Sequence, residues 1–388
     1  MDTEIIPTSV EKRPFFSVLL HLVRKNAVMF IAALAAAVTS FIIPPDAEYT
    51  GYFNMKTLTC LFCTLAVICA LKNIRFFTIL AEKIVSLTGN LRSASIALIY
   101  ITFIGSMIIA NDMALITFLP LGYYVLYYTQ NERYMARLFV LQNISANLGG
   151  MLTPFGNPQN LYLFSYFNIP TLEFMGIMLL PFLLSVAMLT ACGFTFPKTA
   201  LSYDNNHKKK LAKKKTAYYL VLFAISILIV FGTVPYYIGL PIVLVGVLLF
   251  DRDALLQVDY ALLMTFVFFF IFAGNMARIE AVNSLLSNLM AKNTLIFSVV
   301  SCQFISNVPS AVLLSHFTTD YRSLLLGVNI GGTGTLIASL ASLITFKNYV
   351  FYNKNKAGKF LAVFSAYNFG FLVILTVFCM LLTAFVFK

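Results

Sequence analysis

Two segments of similar sequence carry residues that could bind a solute. Residues 146–164 read ANLGGMLTPFGNPQNLYLF, and residues 328–346, which start 182 positions later, read VNIGGTGTLIASLASLITF. A helix cannot continue through Gly-Gly and the Thr, Pro or Ser residues that follow it without freeing backbone N–H and C=O groups. Freed N–H groups at helix N-termini attract anions, and freed carbonyls suit hard cations such as Na⁺. The aligned identical pairs are Asn147/Asn329, Gly149/Gly331, Gly150/Gly332, Thr153/Thr335, Leu161/Leu343 and Phe164/Phe346.

An Asn-containing apolar segment precedes each copy of this motif. The sequence IIANDMALITFLP contains Asn111, and FISNVPSAVLLSH contains Asn307 at the corresponding place. Regions 93–128 and 293–316 are apolar at both ends and polar in the middle, which predicts two half-length helices joined at a polar tip. A Gly-Gly motif also serves tight helix packing in membranes. Two copies, each after an Asn-tipped hairpin, favour a binding site over packing alone.

Asp112 lies at the first predicted tip and is the only charged side chain between Arg92 and Glu132. A carboxylate at membrane depth is costly and is therefore a functional candidate. It could bind a cation as carboxylate or carry a proton. The alternative is an Asp that caps the second leg of the hairpin, because Asn-Asp before an apolar run suits a helix N-terminus.

The amino-acid composition indicates that these motifs lie within a protein embedded in a lipid bilayer. Of the 388 residues, 60% are hydrophobic and only 11% are charged, whereas soluble domains carry about 25% charged residues. The net charge of +12 is interpreted as loop charge that sets orientation, and no nucleic acid is expected as a partner. The C-x-x-C pair Cys60 and Cys63 has no second pair or nearby His, so buried small residues are expected there and not a metal site.

The apolar runs predict an all-α polytopic membrane protein with nine crossing helices, two re-entrant hairpins and two broken helices. The expected organisation is an N-terminal cytoplasmic segment 1–25, a first repeat 26–197, a Lys-rich cytoplasmic linker 198–216 and a second, inverted repeat 217–388. Basic clusters fall on one side of this layout, which predicts a cytoplasmic N-terminus. The predicted crossings are 26–43, 57–71, 138–168 (broken), 174–196, 217–234, 236–250, 259–274, 322–346 (broken) and 360–387.

At these motifs the sequence resembles the superfamily of citrate-transporter-like permeases, which includes divalent anion/sodium symporters, arsenite permeases and one class of Na⁺/H⁺ antiporters. The likeness rests on NDMALITFLP, NLGGMLTPFGNPQN, QFISNVPSAVLL and NIGGTGTLIASLAS, and it is strongest to short bacterial anion permeases. The resemblance implies a homodimer in which a transport domain moves against a fixed scaffold. The symporters carry Ser-Asn-Thr at each tip, whereas this chain has Ala110-Asn111-Asp112 and Ser306-Asn307-Val308.

The resemblance also implies that each tip forms a site with the break that follows it. Na⁺ would bind near Asn111, Asp112 and Gly150 in the first half, and near Asn307 and Gly332 in the second. No other cofactor is expected. The predicted substrate- and ion-binding residues are Asn111, Asp112, Asn147, Gly149, Gly150, Thr153, Gly156, Asn157, Asn160, Ser306, Asn307, Ser310, Asn329, Gly331, Gly332, Thr333, Thr335 and Ser339.

The sequence therefore predicts a secondary active transporter of the bacterial cytoplasmic membrane that moves a small anion, coupled to Na⁺ or H⁺. The nearest alternative is a Na⁺/H⁺ antiporter or arsenite-type permease that uses Asp112 as the exchanging group. An intramembrane enzyme is disfavoured because Asp112 has no catalytic partner in the sequence. A primary pump would need a nucleotide-binding segment, and a simple channel fits inverted broken helices less well.

Overall fold

The computed structural model describes residues 26–201 and 211–385. The predicted N-terminal segment 1–25 and the Lys208–Lys210 part of the linker lie outside the described residues. Within the described part the chain is helical, with one isolated β-bridge between Asn90 and Ala200. The prediction of an all-α membrane protein is confirmed.

The first repeat contains eight longer α-helices in the described residues and one four-residue helix, Tyr49–Tyr52. Hairpin 1 is a pair of helices joined by the single residue Ala110, and the broken helix is interrupted between Gly149 and Pro158. The bounds are α1 Ala27–Ile42, α2 Met55–Asn73, α3 Phe76–Val85, α4 Leu91–Ile109, α5 Asn111–Tyr128, α6 Met135–Gly149, α7 Pro158–Tyr166 and α8 Thr171–Phe194.

The second repeat follows the same order after one additional helix. α9 begins at Lys213, inside the stretch assigned to the linker, so the last lysines of the linker belong to a helix. α12 bends at Asn293, whose backbone is not helical, and this bend separates the surface stretch 280–292 from the first leg of hairpin 2. The bounds are α9 Lys213–Val230, α10 Tyr236–Phe250, α11 Tyr260–Arg278, α12 Glu280–Ile305, α13 Asn307–Leu314, α14 Tyr321–Ile330, α15 Leu340–Tyr352 and α16 Ala357–Phe385.

Six helical segments of the described chain are long and apolar enough to cross a bilayer: α2, α4, α8, α11, α12 and the stretch Lys354–Phe385 that contains α16. α1 and α10 are shorter apolar helices. α4 and α12 contain the first legs of the two hairpins, and both are as long and apolar as a crossing helix. Length and composition therefore do not distinguish a crossing helix from a hairpin leg. What distinguishes them is the reversal of the chain at Ala110 and at Ser306.

The helices pack in two groups, and the repeats interlock within the second group. In the first group α1 packs on α11, and α2 packs on α9, α10 and α11, whereas the hairpins pack with the broken helices. The two groups also touch each other, α2 on α7 and α11 on α13. The first leg of each hairpin lies against the first half of the broken helix of its own repeat, α4 on α6 and α12 on α14. The second legs cross over, because α5 packs on α15 and α13 packs on α7. Neither repeat is therefore complete without the other.

Contacts between helix ends sort into two faces of the molecule. On one face Asn73 donates to Asp251 (3.0 Å), Leu91 N to Thr199 O (2.8 Å) and Arg137 to Cys192 O (3.1 Å). We call this the basic face. It carries fifteen of the nineteen Lys and Arg side chains of the described residues.

The opposite face carries the other four, and we call it the mixed face. Arg278 there forms an ion pair with Asp46 (2.6 Å), and Arg322 forms one with Glu173 (2.8 Å). The hydrogen bonds from Arg278 hold the pKa of the Asp46 carboxyl below its usual value. Successive helix ends therefore fall alternately on the basic face and on the mixed face. The charge pattern of the sequence predicts the same alternation.

Candidate functional site

The two hairpin tips have the same backbone and side-chain geometry. Ala110 (φ 65°, ψ 155°) and Ser306 (φ 75°, ψ 159°) both adopt positive φ, which non-glycine residues rarely do. The next residue is an Asn in each tip, and its Oδ1 accepts a hydrogen bond from the following backbone N–H, Asn111 to Asp112 N and Asn307 to Val308 N, both at 2.9 Å. Asn is suited to this role because its short amide bonds to adjacent backbone. Two strained tips built alike indicate a shared task.

A threonine ties each broken helix to the hairpin of its own repeat. Thr153 Oγ1 donates to Met107 O at 2.9 Å, and Thr335 Oγ1 donates to Gln303 O at 3.0 Å. Both acceptors lie four residues before the tip asparagine, so the two contacts are equivalent. Thr153 and Thr335 are aligned in the two similar sequence segments, and in the structure they bond to equivalent backbone carbonyls of the two hairpins.

Buried amide groups satisfy the carbonyls that the two breaks release. Asn160 Nδ2 donates to Gly150 O (3.1 Å), Met151 O (3.3 Å) and Thr153 O (3.3 Å). Gln303 Nε2 donates to Gly331 O (2.8 Å) and Thr333 O (3.2 Å), and its Oε1 accepts from Thr335 N (2.9 Å). Each NH₂ group thus takes a position among backbone oxygens that a bound cation could otherwise take.

The glycines of the breaks allow the close approach of these segments. A Cβ on Gly331 would lie 2.6 Å from Gly327 O and 2.9 Å from Cys302 Sγ. A Cβ on Gly150 would lie 2.7 Å from Gly156 O and closer still to Asn157 Oδ1. Any larger residue at either position would displace backbone, so packing is part of what these glycines do.

Asparagines from both repeats form a buried network between the breaks. Asn147 Oδ1 accepts from Asn111 Nδ2 (3.2 Å) and from Ser339 Oγ (2.8 Å). Asn329 Nδ2 donates to Asn160 Oδ1 (2.6 Å), and Asn157 Nδ2 donates to Asn329 Oδ1 (3.4 Å). Buried polar networks of this kind fix the relative position of the segments that carry them. Asn147 bonds to the Asn of tip 1, whereas Asn329 bonds to Asn157 and Asn160 of the first break and not to tip 2.

Both tips and both breaks line one cavity of about 340 Å³. Four helices start at this cavity: α5 at Asn111, α7 at Pro158, α13 at Asn307 and α15 at Leu340. Each helix N-terminus carries roughly half a positive charge from its backbone dipoles. No Lys, Arg or His is among the residues that line the cavity in the described chain. The positive potential there therefore comes from backbone.

Asp112 is the ionisable side chain of this cavity. α5 has no side-chain cap, and Asp112 Oδ1 is buried without a hydrogen-bond partner in the described part of the chain. The capping alternative therefore does not describe the carboxylate in this structure. A buried carboxylate oxygen with no donor is the chemistry of a group that binds a proton or a cation.

Most of the predicted site residues come together, but not all face the cavity. Asn111, Asp112, Ser306, Asn307 and Ser339 line it directly. Asn307 Oδ1 accepts from Val308 N, and its Nδ2 has no hydrogen-bond partner in the described chain and would lie 3.0 Å from a Cβ added at Gly332. The remaining predicted residues hold the tips and breaks in place around the cavity: Asn147, Gly149, Gly150, Thr153, Gly156, Asn157, Asn160, Asn329, Gly331, Gly332 and Thr335.

Two predicted residues lie elsewhere. Ser310 Oγ is hydrogen-bonded to Ser301 Oγ at 2.8 Å between the legs of hairpin 2, and Thr333 Oγ1 donates to Ile330 O in its own chain turn. Sequence reasoning did not select Gln303, although a Gln in an apolar hairpin leg is itself a signal that an amide is needed at that depth. It also did not find the apolar half of the cavity, which comes from α1 and α11.

Comparison with known proteins finds sequences similar to this chain. The model of the citrate transporter family matches residues 15–320. An uncharacterized transporter of Methanocaldococcus jannaschii is 35% identical over 295 residues, which cover 75% of this chain and 80% of the relative. The inner membrane protein YbiR of Escherichia coli K12 is 29% identical over 280 residues, covering 70% of this chain and 74% of the relative.

Proposed function

The chain belongs to the citrate transporter family, and we propose that it is a secondary active transporter that binds a small anion at the cavity between its two hairpin tips. The observation that carries the proposal is the convergence of four helix N-termini on one cavity without a basic side chain. Aligned backbone dipoles attract carboxylates and oxyanions at such positions. The amide of Asn307 adds a side-chain donor.

Alternating access would come from movement of the hairpins and broken helices against the group of α1, α2, α9, α10 and α11. The contacts at the boundary are unequal, which is what one end state of such a movement requires. α13 packs against α11, whereas the equivalent helices α5 and α2 make no comparable contact among the described residues. Exchanging these two arrangements would carry the cavity from one face to the other. We propose that this movement occurs within a homodimer whose scaffold faces stay fixed in a bacterial cytoplasmic membrane.

Of the two candidate coupling ions, H⁺ is favoured over Na⁺. The carbonyls that would coordinate Na⁺ at the breaks already accept hydrogen bonds from Asn160 and Gln303. Asp112 Oδ1, by contrast, has no donor. A proton on this carboxyl would remove a negative charge from the cavity at the moment when an anion enters it. Asp112 would then couple anion binding to proton binding.

The alternative on the same scaffold is a cation/proton antiporter or an arsenite-type efflux permease with Asp112 as the exchanging group. The same orphaned carboxylate oxygen favours it. It differs in one respect: the transported species would be the cation itself, or a neutral acid, and no anion would be required. No catalytic role is proposed, because Asp112 has no second titratable group beside it in the cavity.

Uptake by proteoliposomes tests the proposal. Purified protein is reconstituted, and labelled carboxylates, sulfate, phosphate and arsenite are offered under an imposed pH gradient, an Na⁺ gradient or neither. Anion uptake that saturates and that a pH gradient accelerates is the expected result. Uptake driven only by Na⁺ would contradict the assignment of the coupling ion. If no anion moves while H⁺ exchanges for Na⁺, the antiporter is correct.

A further inference from the structure

The cavity at the tips is divided into a polar and an apolar half. Its polar half consists of the two tips and the N-terminus of α15, with Asn111, Asp112, Ser306, Asn307 and Ser339. Its other half is formed by α1 and α11 and by side chains next to tip 2. That half is lined by Val28, Ile31, Ala35, Leu262, Thr265, Phe269, Phe272, Phe304 and Ile337.

The apolar half offers nothing to a second charged group. Its polar member is Thr265, and the Thr265 hydroxyl donates to Ala261 O of its own helix at 2.6 Å. Phe269 and Phe272 present rings to the space. Ile31, Phe304 and Ile337, which also line this half, are 65%, 74% and 56% exposed, so it is open at an apolar edge. A carboxylate placed in this half would lose its hydration without gaining a donor.

We propose that the substrate is a monoanion with a hydrocarbon part, such as a short branched or aromatic monocarboxylate, and not a polycarboxylate. The carboxylate would lie in the polar half, against the N-termini of α5 and α15 and near the side-chain amide of Asn307. The hydrocarbon part would lie against Phe269, Phe272 and Ile31. The inference rests on the proposed function for the anion, and it adds the chemical class of the rest of the molecule.

The dependence of affinity on chain length tests this division. Acetate, butyrate, 4-methylvalerate and phenylacetate are compared with succinate, citrate and sulfate by inhibition of uptake and by thermal shift of the purified protein. Citrate is tested with and without Mg²⁺, because a divalent cation would neutralise its carboxylates. Within the monocarboxylates we expect affinity to rise about fourfold for each buried methylene.

A matched pair of variants on α11 locates the effect in the cavity. Phe272 lines the cavity and Phe268 does not, although both are half-buried phenylalanines of the same helix. Phe272→Asn should flatten the dependence on chain length, whereas Phe268→Asn should leave the slope as in the native protein. The slope is a readout that general destabilisation does not alter. If Phe272→Asn does not fold, Phe272→Ala with the same series serves the same purpose.

The outcomes separate this inference from the proposal on which it rests. Citrate, succinate or sulfate that binds or is transported better than the longer monocarboxylates would overturn the inference and leave anion transport intact. An affinity that does not change with chain length in the native protein would overturn it too. Failure of every anion to bind or move would instead refute the proposed function.

Discussion

At the scale of single residues, the candidate site is built from small and amide side chains, and Asp112 is its ionisable group. Asn160 and Gln303 satisfy carbonyls with neutral NH₂ groups, and the NH₂ group of Asn307 has no hydrogen-bond partner among the described residues. Neutral donors bind an anion without competing for the single carboxylate nearby, which a Lys or Arg would pair with and neutralise. Asp112 consequently remains available for a proton.

Replacing Asp112 by Asn should abolish the response of anion uptake to a pH gradient. The amide cannot carry the proton, so only movement down the anion's own gradient remains. Uptake into proteoliposomes with and without the pH gradient measures this. Asp253→Asn, which changes an exposed carboxylate of the basic face in the same way, should behave as the native protein. A pH-driven component that persists in Asp112→Asn would exclude the coupling role.

Gly150→Ala should destabilise the protein by about 1–3 kcal/mol, the usual cost of overpacking. Its Cβ would press on Gly156 O and Asn157 Oδ1, which are part of the first break. Gly176→Ala in α8 is the control, since no atom lies within 4 Å of the Cβ that it adds. Thermal unfolding in detergent distinguishes them: the melting temperature should fall for the first and not for the second.

At the scale of elements, each broken helix and its hairpin form one unit joined by a threonine, and the second legs of the hairpins join the two units. The crossing of α5 onto α15 and of α13 onto α7 means that a movement of either hairpin displaces the opposite repeat.

Thr153→Val and Thr335→Val should each cost about 1 kcal/mol of stability, because each removes one partly buried hydrogen bond and keeps the shape of the side chain. The two bonds are in separate units, so their effects should add in the double variant. Thr117→Val is the control, as its hydroxyl bonds only within α5, to Met113 O. Equal melting temperatures for all three single variants would show that the bonds to the hairpins contribute nothing.

Asn160→Leu should be more damaging than the neighbouring Gln159→Leu. Asn160 serves three carbonyls of the break, whereas the buried Gln159 has an Oε1 without a partner in the described chain. Each carbonyl left unsatisfied costs about 1–3 kcal/mol. Chemical denaturation of the two variants compares these costs directly. The reverse order of stability would contradict the role given to Asn160.

At the scale of the whole molecule, charge and packing agree on two faces. Helix ends with many Lys and Arg contact one another on the basic face, and those with few contact one another on the mixed face. Cytoplasmic segments retain basic residues, so the basic face should be cytoplasmic. The cavity between the tips would then lie within the bilayer, between the two faces.

Single cysteines at exposed positions test this orientation. Thr50→Cys lies on the mixed face and Asn355→Cys on the basic face, and both native side chains are exposed. A membrane-impermeant maleimide applied to intact cells should label the first at once and the second only after permeabilisation. The native cysteines are buried or half-buried and provide the background. The opposite labelling pattern would invert the proposed topology.

The sequence alone determined the class of the protein, the doubled order of elements and most residues near the site. Hydrophobic content decides the solvent, and Gly-Gly, Asn and Pro interrupt helices through local backbone geometry, so these features are legible without a structure. Only the tertiary structure decided which segments meet. In it, α1 and α11 lie across the cavity from the tips, and Asn160 and Gln303 donate to the carbonyls of the breaks. Asp112 Oδ1 has no hydrogen-bond donor among the described residues. These are contacts between residues far apart in the chain, and they depend on how helices from two inverted repeats pack, which no local pattern encodes.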